Sequence, residues 1–177
     1  MFRHEGPARD PRLNARVAAY LAVIAGFVNS GGFVLLGFYT SHVTGSVGRT
    51  SLDLANGDFG AAFFGMLLVF GFFLGALGAS IVIEGSAERM PHAYGLALSL
   101  QAALLFAFVF IAGVSRATHP RVLDAQGMLL CMALGMQNSL VTRLSGAVVR
   151  TTHLTGIVTD LGIEAARWYR WYRARVG

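Results

Sequence analysis

The chain has 177 residues, 55% of them hydrophobic and 13% charged, with a mean hydropathy of +0.59. A soluble domain carries about 25% charged residues, so the composition argues against one, and the long apolar runs point to lipid rather than to a soluble core. The net charge is +5, and all 14 basic residues are Arg. They sit at the chain ends and in short connections, a distribution that membrane orientation explains better than nucleic-acid binding does. A single Cys, Cys131, lies inside an apolar run. It supports neither a disulfide framework nor a Cys-based metal site, and reads as a small buried residue.

Residues 1–16 are polar and hold Arg3, Arg9, Arg12 and Arg16. They read as a short cytoplasmic lead to a single membrane domain over 17–177. The apolar run that follows is too long for a signal peptide and has no small-x-small cleavage site. The first predicted span is 17–39, uncharged and long enough for a hydrocarbon core of about 30 Å. Asn29-Ser30-Gly31-Gly32 interrupts it, and the sequence predicts an unwound or kinked helix there, its freed backbone groups facing protein or water. Residues 41–57 resemble neither a soluble loop nor a span. They are expected to form a re-entrant or interfacial segment, with Thr44 or Ser46 capping a short helix to Ala55.

The second predicted span is 60–83. Gly71, Gly75 and Ala79 fall four apart on one helix face, where small residues let another backbone approach. The third is 93–114, with Gln101 read as an interhelical hydrogen-bonding residue. The fourth is 123–141, which carries Gly127, Gly135, Gln137, Asn138 and Ser139. Residues 147–166 contain Arg150, His153, Asp160 and Glu164, span poorly alone, and are expected to be a second re-entrant or interfacial segment. The basic-aromatic tail 167–177 suits the membrane–water interface. The predicted fold is therefore all-α and polytopic, with four spans and two broken or re-entrant segments.

A repeat organises the chain. Gly26 to Val47 reads GFVNSGGFVLLGFYTSHVTGSV, and Gly135 to Val158 reads GMQNSLVTRLSGAVVRTTHLTGIV. Each has a Gly three residues before Asn-Ser, and each ends in a Ser/Thr-His-apolar-Thr-Gly box. Arg counts favour both termini inside: eleven Arg fall in inner segments and three in outer connections. The two copies then enter the membrane from opposite sides, which is the logic of an inverted repeat with a site between its halves. In such proteins half-helix ends near the midplane present partial charges to ions or polar groups.

The box Ser41-His-Val-Thr-Gly-Ser-Val47, preceded by an apolar run with a polar residue at Asn29, resembles the signature of the YoaK-type bacterial membrane proteins. They are a family of unknown function, of the DUF class, with six predicted spans. The resemblance covers about Ala15 to Glu164 and implies a multi-pass protein of the bacterial plasma membrane. It also implies two further spans after the second box, which the chain lacks, as a truncated form or one of two complementing chains would. Ser46 stands where the family usually has Asn. Asp is common near Asn29 in the family, and the side chain here is neutral, which weighs against a carboxylate coupling a proton or cation at that position.

The candidate substrate-binding residues are Asn29, Ser30, His42, Thr44, Asn138, Ser139, His153 and Thr155. Gly31, Gly32, Gly45, Gly71, Gly75, Gly135 and Gly156 are assigned to helix breaks or packing. His42 and His153 have a proton-relay or metal reading. An interfacial His bonded to the adjacent Thr or backbone is favoured, because no further ligand sits at metal spacing beside either. Ser30 and Ser139 have no neighbouring base to make them nucleophiles, and Asp160 and Glu164 read as one solvated helix face. No phosphate-cradling loop is present. The expectation is a non-enzyme with no cofactor and no metal, whose partners are the lipid bilayer, a small polar solute or ion, and further copies of itself. The first reading is a transporter-like protein, or half of one. The second is a non-transporting scaffold or accessory subunit, and the third an intramembrane enzyme.

Overall fold

The computed structural model describes residues 11–85, 90–114 and 120–144, together with Trp168, Trp171, Tyr172 and Arg175. The described chain is helical: α1 (Pro11–Leu36), α2 (Val43–Ala55), α3 (Phe59–Gly85), α4 (Met90–Val114) and α5 (Pro120–Leu144). Three of these helices, α1, α3 and α4, are long and apolar enough to cross a membrane. Their outer faces carry Phe27, Val34, Phe70, Phe73, Phe106 and Phe110, all exposed. Such a belt of large apolar side chains is stable only against lipid or another apolar surface.

α5 differs from the other long helices. It has 25 residues, enough for about 37 Å, yet it falls outside the set apolar enough to span. Its position explains how its polar residues are tolerated. α5 touches α1, α3 and α4, and nine of the twelve residues from Leu130 to Val141 are buried. The other helices shield it from lipid.

Contacts along α5 fix the directions of its neighbours. Gly71 faces Met128, Gly75 faces Met132, and Ser80 meets Ser139, so α3 runs parallel to α5. An ion pair between Glu84 and Arg143 closes that side. Gly32 faces Leu130, and Leu21 packs on Val141, so α1 is antiparallel to α5. Tyr94 packs with Leu140, and Gln101 bonds Gln137, so α4 is antiparallel as well. Gly75 and Gly135 carry the closest α3–α5 approach. A methyl on Gly75 would collide with the carbonyl oxygen of Met132, and one on Gly135 with that of Phe72.

The expected break in the first span is not there. α1 runs unbroken through Asn29-Ser30-Gly31-Gly32. Tertiary packing overrides the weak helix propensity of two glycines. Gly32 instead makes room, since a Cβ there would lie 2.9 Å from Leu130 Cδ1. The helix ends five residues later at Gly37, whose φ of +79° suits glycine and whose N–H bonds the carbonyl of Phe33 at 2.8 Å.

Nor do Thr44 and Ser46 cap the short helix. Its N-cap is His42, with no side-chain capping bond, and the Ser46 hydroxyl donates back to the His42 carbonyl at 3.2 Å. The other end of α2 is tightly finished. Gly57 N–H bonds Leu54 O at 3.1 Å and Asp58 N–H bonds Asp53 O at 2.9 Å, the paired closure of a Schellman motif. Asp58 Oδ1 then accepts the Ala61 N–H at 2.9 Å, capping α3. α2 and α3 are thus joined as a hairpin with both facing ends satisfied. In the tail, Trp168 stacks on Tyr172, and the Arg175 guanidinium lies 4.0 Å above the Trp171 ring.

Candidate functional site

The site is built around the seam between α1 and α5. On α1, Leu21, Ala25, Asn29 and Gly32 recur at helical spacing and are all buried. On α5, Gln126, Leu130, Ala133 and Gln137 form the matching buried face. Most of the contact is small and apolar, but polar groups enter it at separate levels.

At the lowest level Gln137 ties three helices together. Its Nε2 donates to the Leu21 carbonyl at 2.6 Å, and its Oε1 accepts from Gln101 Nε2 at 2.8 Å. Gln101 thus makes an interhelical bond, while its own Oε1 is buried without a partner.

At the middle level the chain comes back into the bundle. After Leu36 it reverses, and the amides of Thr40 and Ser41 each donate to Asn29 Oδ1 at 3.1 Å. Asn29 lies seven residues before the end of α1, so the reversal descends about 10 Å before α2 climbs out again. Residues 37–42 therefore form a turn folded back against α1, and one carboxamide oxygen satisfies two buried amides that have no helix of their own. Thr40 is 3% exposed, and its hydroxyl, facing Gly32, has no partner.

At the upper level Gln126, 2% exposed, has a buried Nε2 with no partner. Gln126 and Gln137 are eleven residues apart, so the polar line extends about 16 Å along the seam. That is roughly half the hydrocarbon thickness of a bilayer.

The residues anticipated from sequence scatter across this geometry. Asn29 is in the seam. Ser30, one residue on, is exposed on the outer face of α1. His42 and Thr44 are exposed at the start of α2; the His42 ring lies 5.2 Å from Tyr39, which itself stacks on Phe33 at 4.4 Å. Gly45 lies 3.6 Å from His42 Cβ once a Cβ is added, an ordinary contact. Ser139 faces α3 and bonds Ser80 at 2.9 Å, and Asn138 is half-buried and partnered. Asn29 and Asn138 are not brought together. Leu21 is level with Gln137, and Asn29 sits eight residues further along α1, about 12 Å away. His153, Thr155 and Gly156, and with them the second box and the 147–166 segment, lie outside the described residues.

Gln126 and Gln137 did not stand out as site residues in the sequence. The available signal was their eleven-residue spacing, three helical turns, inside the least apolar of the long runs. Among the described residues, no three His, Cys, Asp or Glu gather to hold a metal.

Residues 17–176 match the family described as a protein of unknown function, DUF1275. The chain belongs to that family. No curated protein and no solved structure matches it. With three helices able to cross a bilayer, this family member is an integral membrane protein.

Proposed function

We propose that the protein is a transporter-like membrane protein that passes a small polar solute or ion along the α1–α5 seam. The observation that carries this reading is the row of buried, unpartnered polar atoms on the seam and beside it: Gln126 Nε2, Thr40 Oγ1 and Gln101 Oε1. A buried polar group with no partner costs about 1–3 kcal/mol. Leucine at Gln126 would remove that cost, so packing alone does not account for the amide. A passing solute or water would supply the missing bonds. The re-entrant turn at Thr40–Ser41 supports the same reading, because irregular backbone at membrane depth is tolerated where it lines a cavity or is buried in protein. The sequence repeat adds inverted-repeat logic, with both termini on the cytoplasmic side of a bacterial plasma membrane.

The scaffold reading has one observation in its favour: both bonds to Asn29 Oδ1 come from the chain's own backbone, so that residue is fully used in holding a turn. Flux separates the two. The purified chain in liposomes is expected to speed the entry of at least one of glycerol, urea, glycine or sodium over protein-free liposomes. Gln126→Leu is expected to cut that rate at least tenfold while melting no lower than wild type. Entry no faster than in protein-free liposomes, for every solute, would favour the scaffold.

A further inference from the structure

A cavity of about 300 Å³ lies between the end of α1, the length of α2 and the start of α3. It is outside the seam and contains none of the residues anticipated from sequence as substrate-binding. Its volume is at the lower end for small-molecule sites, of order 300–1,000 Å³. We infer that this cavity binds a small zwitterion of the amino-acid type with an apolar side chain.

The chemistry of the walls carries the inference. Arg49 and Asp53 both line the cavity. They are four residues apart on α2, one helical turn, or about 6 Å along the axis. They form no ion pair with each other; among the described residues the ion pair is Arg143 with Glu84. A guanidinium and a carboxylate at this spacing, facing one cavity and not joined to each other, match a ligand with both an anionic and a cationic end. Asp58 adds a second carboxylate at the rim, one oxygen of which is committed to the Ala61 N–H. The opposite walls are apolar, with Phe38 and Phe64 meeting edge-to-face at 5.7 Å. Thr50 also lines the cavity, and its hydroxyl is buried without a partner, packed where Gly65 has no Cβ.

The α2–α3 frame is hydrogen-bonded without any ligand. The Schellman closure through Asp53 and Asp58 and the Asp58 cap lock the α2–α3 hairpin that holds both charged residues. A preformed site loses less on binding than one that must be ordered. The inference does not depend on conduction through the seam, because binding is measured here without flux.

The test is calorimetric titration of the detergent-purified full chain with L-leucine, 4-methylpentanoate and 3-methylbutylamine. The last two keep the leucine skeleton and each delete one charge. Leucine is expected to bind at least tenfold more tightly than either analogue. Arg49→Gln is expected to reduce leucine to the level of the amine, and Asp53→Asn to the level of the carboxylate. α2 has no buried residue, so both variants are expected to melt with wild type. Absence of leucine binding would overturn the inference, as would leucine binding unchanged in both variants. Carboxylate binding as tight as leucine's would replace the zwitterion site with an anion site.

Discussion

Two substitutions three residues apart on α3 are expected to shift stability in opposite directions. Gly75→Ala places a methyl against the carbonyl oxygen of Met132, with the Met132 carbonyl carbon and Cα also within 3 Å. None of those atoms is the end of a flexible side chain, so α5 itself must shift. Overpacking a tight core costs about 1–3 kcal/mol, more when backbone has to move. Gly78→Ala meets nothing within 4 Å, and alanine gains up to about 1 kcal/mol over glycine in a helix interior. Thermal melts in one detergent are expected to place Gly75→Ala several degrees below wild type and Gly78→Ala level with it or above. Gly135→Ala should follow Gly75→Ala, since its methyl would strike the Phe72 carbonyl. Equal melting of all three variants would mean that α3 and α5 do not cross at these glycines.

The second large effect falls on Asn29. Removing its carboxamide in Asn29→Ala strands the amides of Thr40 and Ser41, both buried. Each unsatisfied group costs about 1–3 kcal/mol, so the loss is on the order of 2–6 kcal/mol. The damage should be local before it is global. Amide exchange at Thr40 and Ser41 is expected to accelerate most, while the α3–α5 contact keeps its protection. Ser30→Ala, on the exposed face one residue away, is expected to stay within about 0.5 kcal/mol of wild type. If Asn29→Ala leaves exchange at both amides unchanged, the turn after α1 is held by something other than this side chain.

These effects also show where sequence was informative. The apolar runs made the all-helical class legible, because lipid demands about twenty apolar residues at each crossing. The spacing of Gly71, Gly75 and Ala79 already placed small residues on one face, and the structure puts α5 against that face. Asn29 was visible as a polar residue in an apolar run, but its partners were not. They are backbone amides eleven and twelve residues later, and they reach it only because the chain turns at Gly37. Gly31 and Gly32 suggested a break because propensity is local, whereas the packing of Leu130 on α1 is not. Residues 123–141 read as a fourth span, because enclosure of α5 by three other helices leaves no mark on a single helix's hydropathy. The cavity beside α2 needs three segments in register, which no single stretch of sequence displays.

A seam that passes a polar solute opens to water between α1 and α5, while the outer face of α1 at the same depth does not. Single cysteines test it in a Cys131→Ala background, using a membrane-impermeant thiosulfonate reagent on sealed vesicles. Ala133 is fully buried on the seam face of α5, and Phe27 is 81% exposed on α1 at nearly the same level. The Ala133→Cys thiol is expected to be labelled, and the Phe27→Cys thiol, lying in lipid, is not. Protection of Ala133→Cys equal to that of Phe27→Cys would contradict a hydrated seam and leave α5 as a packed core helix.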